Sequence, residues 1–132
     1  MITLRAEQVQ VIASAKEEAF LTQLACEVRK HFPALTAKLD GPALRTKITA
    51  ALERAKAAGV TSERDCVRLV NVAAALEWRL EDHPWLDAQL ADPAVDDVSE
   101  RVRLVVARAL RDKQREEQNR AARRELERAT RR

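Results

Sequence analysis

Residues 61–80 read TSERDCVRLVNVAAALEWRL, and in this stretch Cys66, Leu69, Val70, Ala73, Leu76 and Leu80 follow one another at helical spacing. At 3.6 residues per turn they share one face of an α-helix. Thr61 and Ser62 stand just before the run, where a side-chain hydroxyl accepts from a backbone N–H that has no partner inside the helix. Glu63 and Asp65 fall in the first turn, where a carboxylate favours the positive end of the helix dipole. The stretch predicts a helix that opens after Ser62, fades near Glu81-Asp82 and is broken by His83-Pro84.

The same period extends outward on both sides. From Arg5 to Lys30, Val9, Ile12, Phe20, Leu24 and Val28 form one face, with Thr3 as N-cap and Phe32-Pro33 as terminator, because a residue before proline avoids the α region. Ala34 to Leu39 reads as a short connection. Asp40 then caps a second helix with Pro42 in its first turn, Leu44, Ile48, Ala51, Leu52 and Ala55 on its buried face, and Gly59 where a left-handed cap is expected. Downstream, Pro84 to Leu90 reads as a short helix started by proline and closed off before Pro93. Asp96, Asp97 and Ser99 stand at the start of a last helix carrying Val98, Val102, Val105, Val106, Ala109 and Leu110. Valine is a mediocre helix former, so periodicity carries that assignment.

The chain has 132 residues, only two glycines, and long stretches of Ala, Leu, Glu and Arg, all strong helix formers. The expected fold class is therefore all-α, a compact bundle of four to five helices with a long charged C-terminal helical extension. Its aromatic residues are only Phe20, Phe32, Trp78 and Trp85, so the core is expected to be thin and aliphatic. Phe20, Leu24, Leu52, Leu69, Val70, Leu76, Val102 and Val106 are its expected members. One domain is expected over residues 1–110, followed by a tail over 111–132.

The formal charge of +3 belongs to that tail, which holds nine Lys/Arg against five Asp/Glu. Arg111 to Arg120 contains no apolar residue. Glu116 with Arg120, and Glu127 with Arg131, are i,i+4 pairs in the favourable order, each adding only ~0.2–0.5 kcal/mol. The expectation is a frayed helix or a disordered segment. Its thin apolar stripe, Ala122, Leu126 and Ala129, is the face on which a partner helix or a second copy of the chain would dock.

Little in the sequence points to catalysis. Cys26 with His31, and Cys66 with His83, lack metal-site spacing and a second pair of ligands. The two cysteines are expected to be reduced and buried. Adjacent carboxylates such as Glu81-Asp82 and Asp96-Asp97 diverge by about 100° on a helix and do not converge on one substrate. Gly41 and Gly59 are isolated, so no phosphate-cradling loop is present. No enzyme, cofactor or metal is expected. His83-Pro84-Trp85 is the most distinctive feature: Trp85, with Trp78 beneath it, either plugs an open end of the bundle or anchors a partner. The tail's cations are interleaved with carboxylates and accompanied by no aromatic residue, so nucleic acid is not the expected partner. No apolar run approaches the ~18 residues of a membrane span, and no basic segment leads into an apolar one near Met1. A protein folded in the cytoplasm and meeting no membrane is expected.

Glu7-Gln8 on a long first helix, Phe20 followed by Leu24, Phe32-Pro33, Ala55 with Gly59-Val60, Asp65 ahead of Leu69-Val70, and Pro84-Trp85 with Leu90 together form a pattern. Over residues 1–110 it resembles a family of small proteins from bacterial type VI secretion effector gene clusters. The resemblance implies an accessory role beside a secreted toxin, as an adaptor or chaperone that loads the effector onto the secretion spike. The alternatives are an immunity protein that neutralises a cognate toxin, and a small helical nucleic-acid-binding regulator. No catalytic residue comes with the resemblance.

Overall fold

The computed structural model describes residues 6–131, and side chains from residue 16 onward. The Thr3 cap and the Val9 and Ile12 side chains lie outside the described residues. Six α-helices follow one another: α1 (Ala6–His31), α2 (Pro33–Thr36), α3 (Gly41–Ala57), α4 (Glu63–Ala75), α5 (Pro84–Leu90) and α6 (Val98–Thr130), with a 3₁₀ turn at Leu80–Asp82. No strand occurs among the described residues. The fold is an all-α bundle with a long C-terminal helix.

Helix α4 is its spine, packed against α3 on one side and α6 on the other, while α1 rests on α3 and α5 on α6. Ser62 caps α4 by accepting the Asp65 N–H at 3.1 Å. Leu69, Val70, Val72, Ala73 and Ala74 are buried along it. They meet Leu24 and Val28 of α1, Leu44, Ile48, Ala51 and Ala55 of α3, Leu86 and Leu90 of α5, and Val102, Val105 and Ala109 of α6 in one continuous core. Leu24, Leu69, Val70 and Val102 are fully inside, as expected from the sequence. Phe20, Leu52, Leu76 and Val106 are half-buried at the margin of the same cluster.

The local stop signals mostly act where they stand. Asp40 accepts the Ala43 N–H at 2.8 Å. Gly59 has φ +84°, and the N–H of the buried Val60 returns to the Ala55 carbonyl at 3.0 Å, closing α3 with a Schellman motif. Asp97 caps α6 by accepting the Ser99 N–H at 3.2 Å.

Three expectations need correction. The third helix does not run to Leu80 but stops at Ala75. The Trp78 N–H bonds to the Ala73 carbonyl at 2.8 Å and the Glu77 N–H to Ala74 at 2.9 Å, the same C-terminal motif built without glycine. Glu77 (φ 56°) and Trp78 (φ 64°) are therefore both left-handed, a conformation that costs an L-residue about 1–2 kcal/mol. Second, the connection after Phe32 contains the single helical turn α2. Pro33 starts it, the buried Thr36 hydroxyl donates to the Phe32 carbonyl at 2.9 Å, and Arg29 donates to the carbonyls of Thr36 and Leu39, both at 3.1 Å. Third, neither cysteine is fully buried: Cys26 is exposed and Cys66 half-buried, both as free thiols. Cys26 follows the inward positions Leu24 and Ala25 and is turned out to solvent by the helical rotation.

Candidate functional site

Helix α1 ends at His31, just ahead of Phe32-Pro33, and α4 ends at Ala75, but α6 meets neither a proline nor a glycine and continues past both. Between these two blunt ends and the overhanging α6 lies a groove of about 730 Å³. Phe32, Leu35, Ala74, Ala75, Leu76 and Ala109 give it apolar walls. Lys38 and Glu77 on one side, and Asp112, Lys113, Glu116, Glu117 and Arg120 along α6, give it a charged rim. The Lys113 ammonium sits 5.8 Å from the centroid of the Phe32 ring, tying the first overhanging turn to the α1–α2 corner by a cation–π contact. Beyond that turn no side chain from 111 to 131 is buried.

The residues singled out from sequence lie elsewhere. Trp85 is half-buried on α5 against α6, with the Arg108 guanidinium 4.5 Å from its ring centroid and the His83 ring edge-on at 6.3 Å. Trp78 is half-buried in the left-handed turn after α4, and its indole Nε1 is enclosed without a hydrogen-bond partner among the described residues. Ala122, Leu126 and Ala129 are exposed on α6, Leu126 to 70%. None of the five lines the groove. Phe32, Leu35 and Leu76 do, and no local sequence signal marks them, because which helix ends lie beside α6 is set by tertiary packing.

The most organised ionisable group is Asp65, 4% exposed at the start of α4. The Ser99 hydroxyl donates to its Oδ2 at 2.6 Å, and Arg68 approaches Oδ1 at 3.4 Å. The Ser99 bond above all, with the Ser62 hydroxyl and the positive Arg68 and Arg103 assisting, outweighs burial and holds the carboxyl below its ordinary range. Next to it, burial raises the Cys66 thiol, and the charges of Asp65 and Glu63 raise it further. A thiol so raised is a poor nucleophile. The cluster joins two helix starts and points into no cavity of note.

Among the described residues, no group of three or more His, Cys, Asp or Glu is placed to hold a metal ion. No described helix is long and apolar enough to cross a membrane. The chain matches no known protein family, no curated protein and no solved structure.

Proposed function

We propose that the chain is a protein-binding accessory factor whose groove takes an amphipathic helix from a partner, and that it acts by binding rather than by catalysis. The groove carries this reading: apolar walls from Phe32, Leu35 and Leu76, edged along one side by the charged face of α6. A helix laid in such a groove buries anchors at i, i+3 or i+4 and i+7 on the apolar walls and turns its polar flanks to the charged rim. Half-exposed apolar side chains supply the driving force, about 25 cal/mol for each Å² removed from water.

The partner class we propose is a secreted effector or a spike component of a type VI secretion system, for which the chain is an adaptor or chaperone. The pattern that runs from Phe20-Leu24 to Pro84-Trp85 supports this class, and an immunity role toward a cognate toxin is the second reading of the same pattern. The test is co-purification of the tagged chain with the products of neighbouring genes, in the native form and as Ala34→Glu. Ala34 is exposed and lines the groove, so the substitution places a charge at the binding surface with little effect on the bundle. Retention of a toxin or secretion component by the native chain and its loss with Ala34→Glu is the expected result. Toxin neutralisation with no effect on export moves the answer to immunity. Recovered nucleic acid, released steeply as salt rises, replaces the protein-binding reading with the regulator.

A further inference from the structure

We propose that the outward face of α6 is a self-association surface, on which two copies of the chain pair antiparallel about a two-fold axis near Arg120. Buried Val102, Val105 and Ala109 mark the side of α6 that faces its own bundle. Each residue turns the helix by about 100°, so Arg111, Arg115, Gln118, Ala122, Glu125 and Ala129 fall on the opposite side, and all six are exposed. The groove opens on the bundle side of the same helix. Two α6 helices can therefore lie against each other along the outward face without either bundle, or either groove, being in the way.

The charge order selects the second copy and its direction. Every charged residue from 112 to 117 has a residue of opposite sign at its mirror position about Arg120: Asp112 mirrors Arg128, Arg115 mirrors Glu125 and Glu117 mirrors Arg123, among others. A parallel, in-register pair sets like charge against like at each level. An antiparallel pair sets opposite charges level, with Arg115 and Glu125 the mirrored pair that lies on the outward face itself, and it also opposes the two helix dipoles. Within the seam, Arg115 of each copy faces Glu125 of the other, twice over by symmetry, and neither residue has an ion-pair partner within its own chain among the described residues. Ala122 opposite Gln118, and Ala129 opposite the stem of Arg111, let the backbones approach closely. Leu126, at the edge of the face, gains cover it lacks in a single copy. The overlap is about 20 residues, or roughly 30 Å of helix. With one leucine in the seam, the association is a reversible, salt-sensitive one.

The experiment is sedimentation equilibrium of the full chain at low ionic strength, from micromolar to near-millimolar concentration. A monomer–dimer equilibrium that weakens with added salt is expected. Arg115→Glu and Glu125→Arg each convert two attractive contacts into repulsive ones and should weaken the dimer about tenfold or more. The double variant restores opposite charges at both sites and should regain the native constant. Both positions are exposed, and circular dichroism of each variant checks that the bundle still melts as the native chain does. A chain that stays monomeric throughout, a dimer indifferent to either single substitution, or a double variant no better than the singles overturns the proposal.

Discussion

The Ser99 hydroxyl donates to the Asp65 carboxylate at 2.6 Å, joining the first turns of α4 and α6 across 34 residues of chain. Asp65 is 4% exposed, so this bond replaces water that burial removed. A hydrogen bond to a buried charge contributes about 1.5–3 kcal/mol. Ser99→Ala is expected to lower stability by about that amount at neutral pH, measured by urea unfolding, with no change in helix content before the transition.

A pH dependence follows from the same pair. Asp65 is held below its ordinary value, so the unfolded chain binds the proton more readily than the folded one, and stability rises with pH in that window. The contribution is complete above the ordinary carboxylate value of about 3.9 and is lost as pH falls through the lower folded-state value. Melts at pH 7 and near pH 3 should show a smaller acid loss in Ser99→Ala than in the native chain. Equal losses in the two would mean that Asp65 is not the group responsible.

Leu69 is 5% exposed at the middle of α4, beside Ala51 and Ala55 of α3 and Leu86 and Leu90 of α5. Leu69→Ala removes three buried carbons and leaves a void, with an expected cost of ~2–5 kcal/mol. In a domain whose total stability is about 5–15 kcal/mol, the denaturation midpoint should fall conspicuously. A loss under about 1 kcal/mol would show that the surrounding helices can close over the gap.

Glu77 lies at φ 56° on the surface, in a position that glycine occupies without steric conflict. Glu77→Gly should stabilise the chain by up to about 1 kcal/mol, because relief of the left-handed strain exceeds the added freedom of the unfolded chain. Thermal denaturation of the variant gives the sign. A lowered melting temperature would mean that the Glu77 side chain contributes contacts that outweigh its strain.

Arg101 fastens the α5–α6 loop by donating from Nε to the Val95 carbonyl at 2.6 Å and from a terminal nitrogen to the Leu90 carbonyl at 3.4 Å. Arg101→Ala leaves those partly buried carbonyls without their donor and should cost about 1–3 kcal/mol. Amide hydrogen exchange is expected to quicken in α5 before α3, since α5 packs chiefly on α6.

A chain ending at Leu110 should keep its melting temperature to within about 2–4 °C, since no later side chain is buried and a shift that small corresponds to under 1 kcal/mol. Partner binding should be lost with the α6 wall of the groove. Collapse of the truncated bundle would instead mean that Lys113 over Phe32 matters to the fold itself.

The sequence by itself determined the helices, because their signals are local. Asp40, Ser62 and Asp97 each cap with a side chain that reaches two or three residues along the chain, Pro33, Pro42 and Pro84 preset the first turn, and Gly59 supplies the left-handed stop. Helical period then named much of the core, including Leu24, Leu69, Val70 and Val102. The end of α4 was not legible, because its stop uses Glu77 and Trp78, whose side chains carry no left-handed preference and which packing alone holds there. Nor was the groove: Phe32 comes from the α1–α2 junction, Leu35 from α2, Leu76 from the end of α4 and Ala109 from α6, and each reads in sequence as an ordinary margin of a helix face. Only the tertiary structure decides that α1 and α4 end at the same level while α6 runs on, and that Asp65 finds Ser99. Both depend on how helices cross, which is set by contacts between residues far apart in the chain rather than by the spacing of neighbours within one helix.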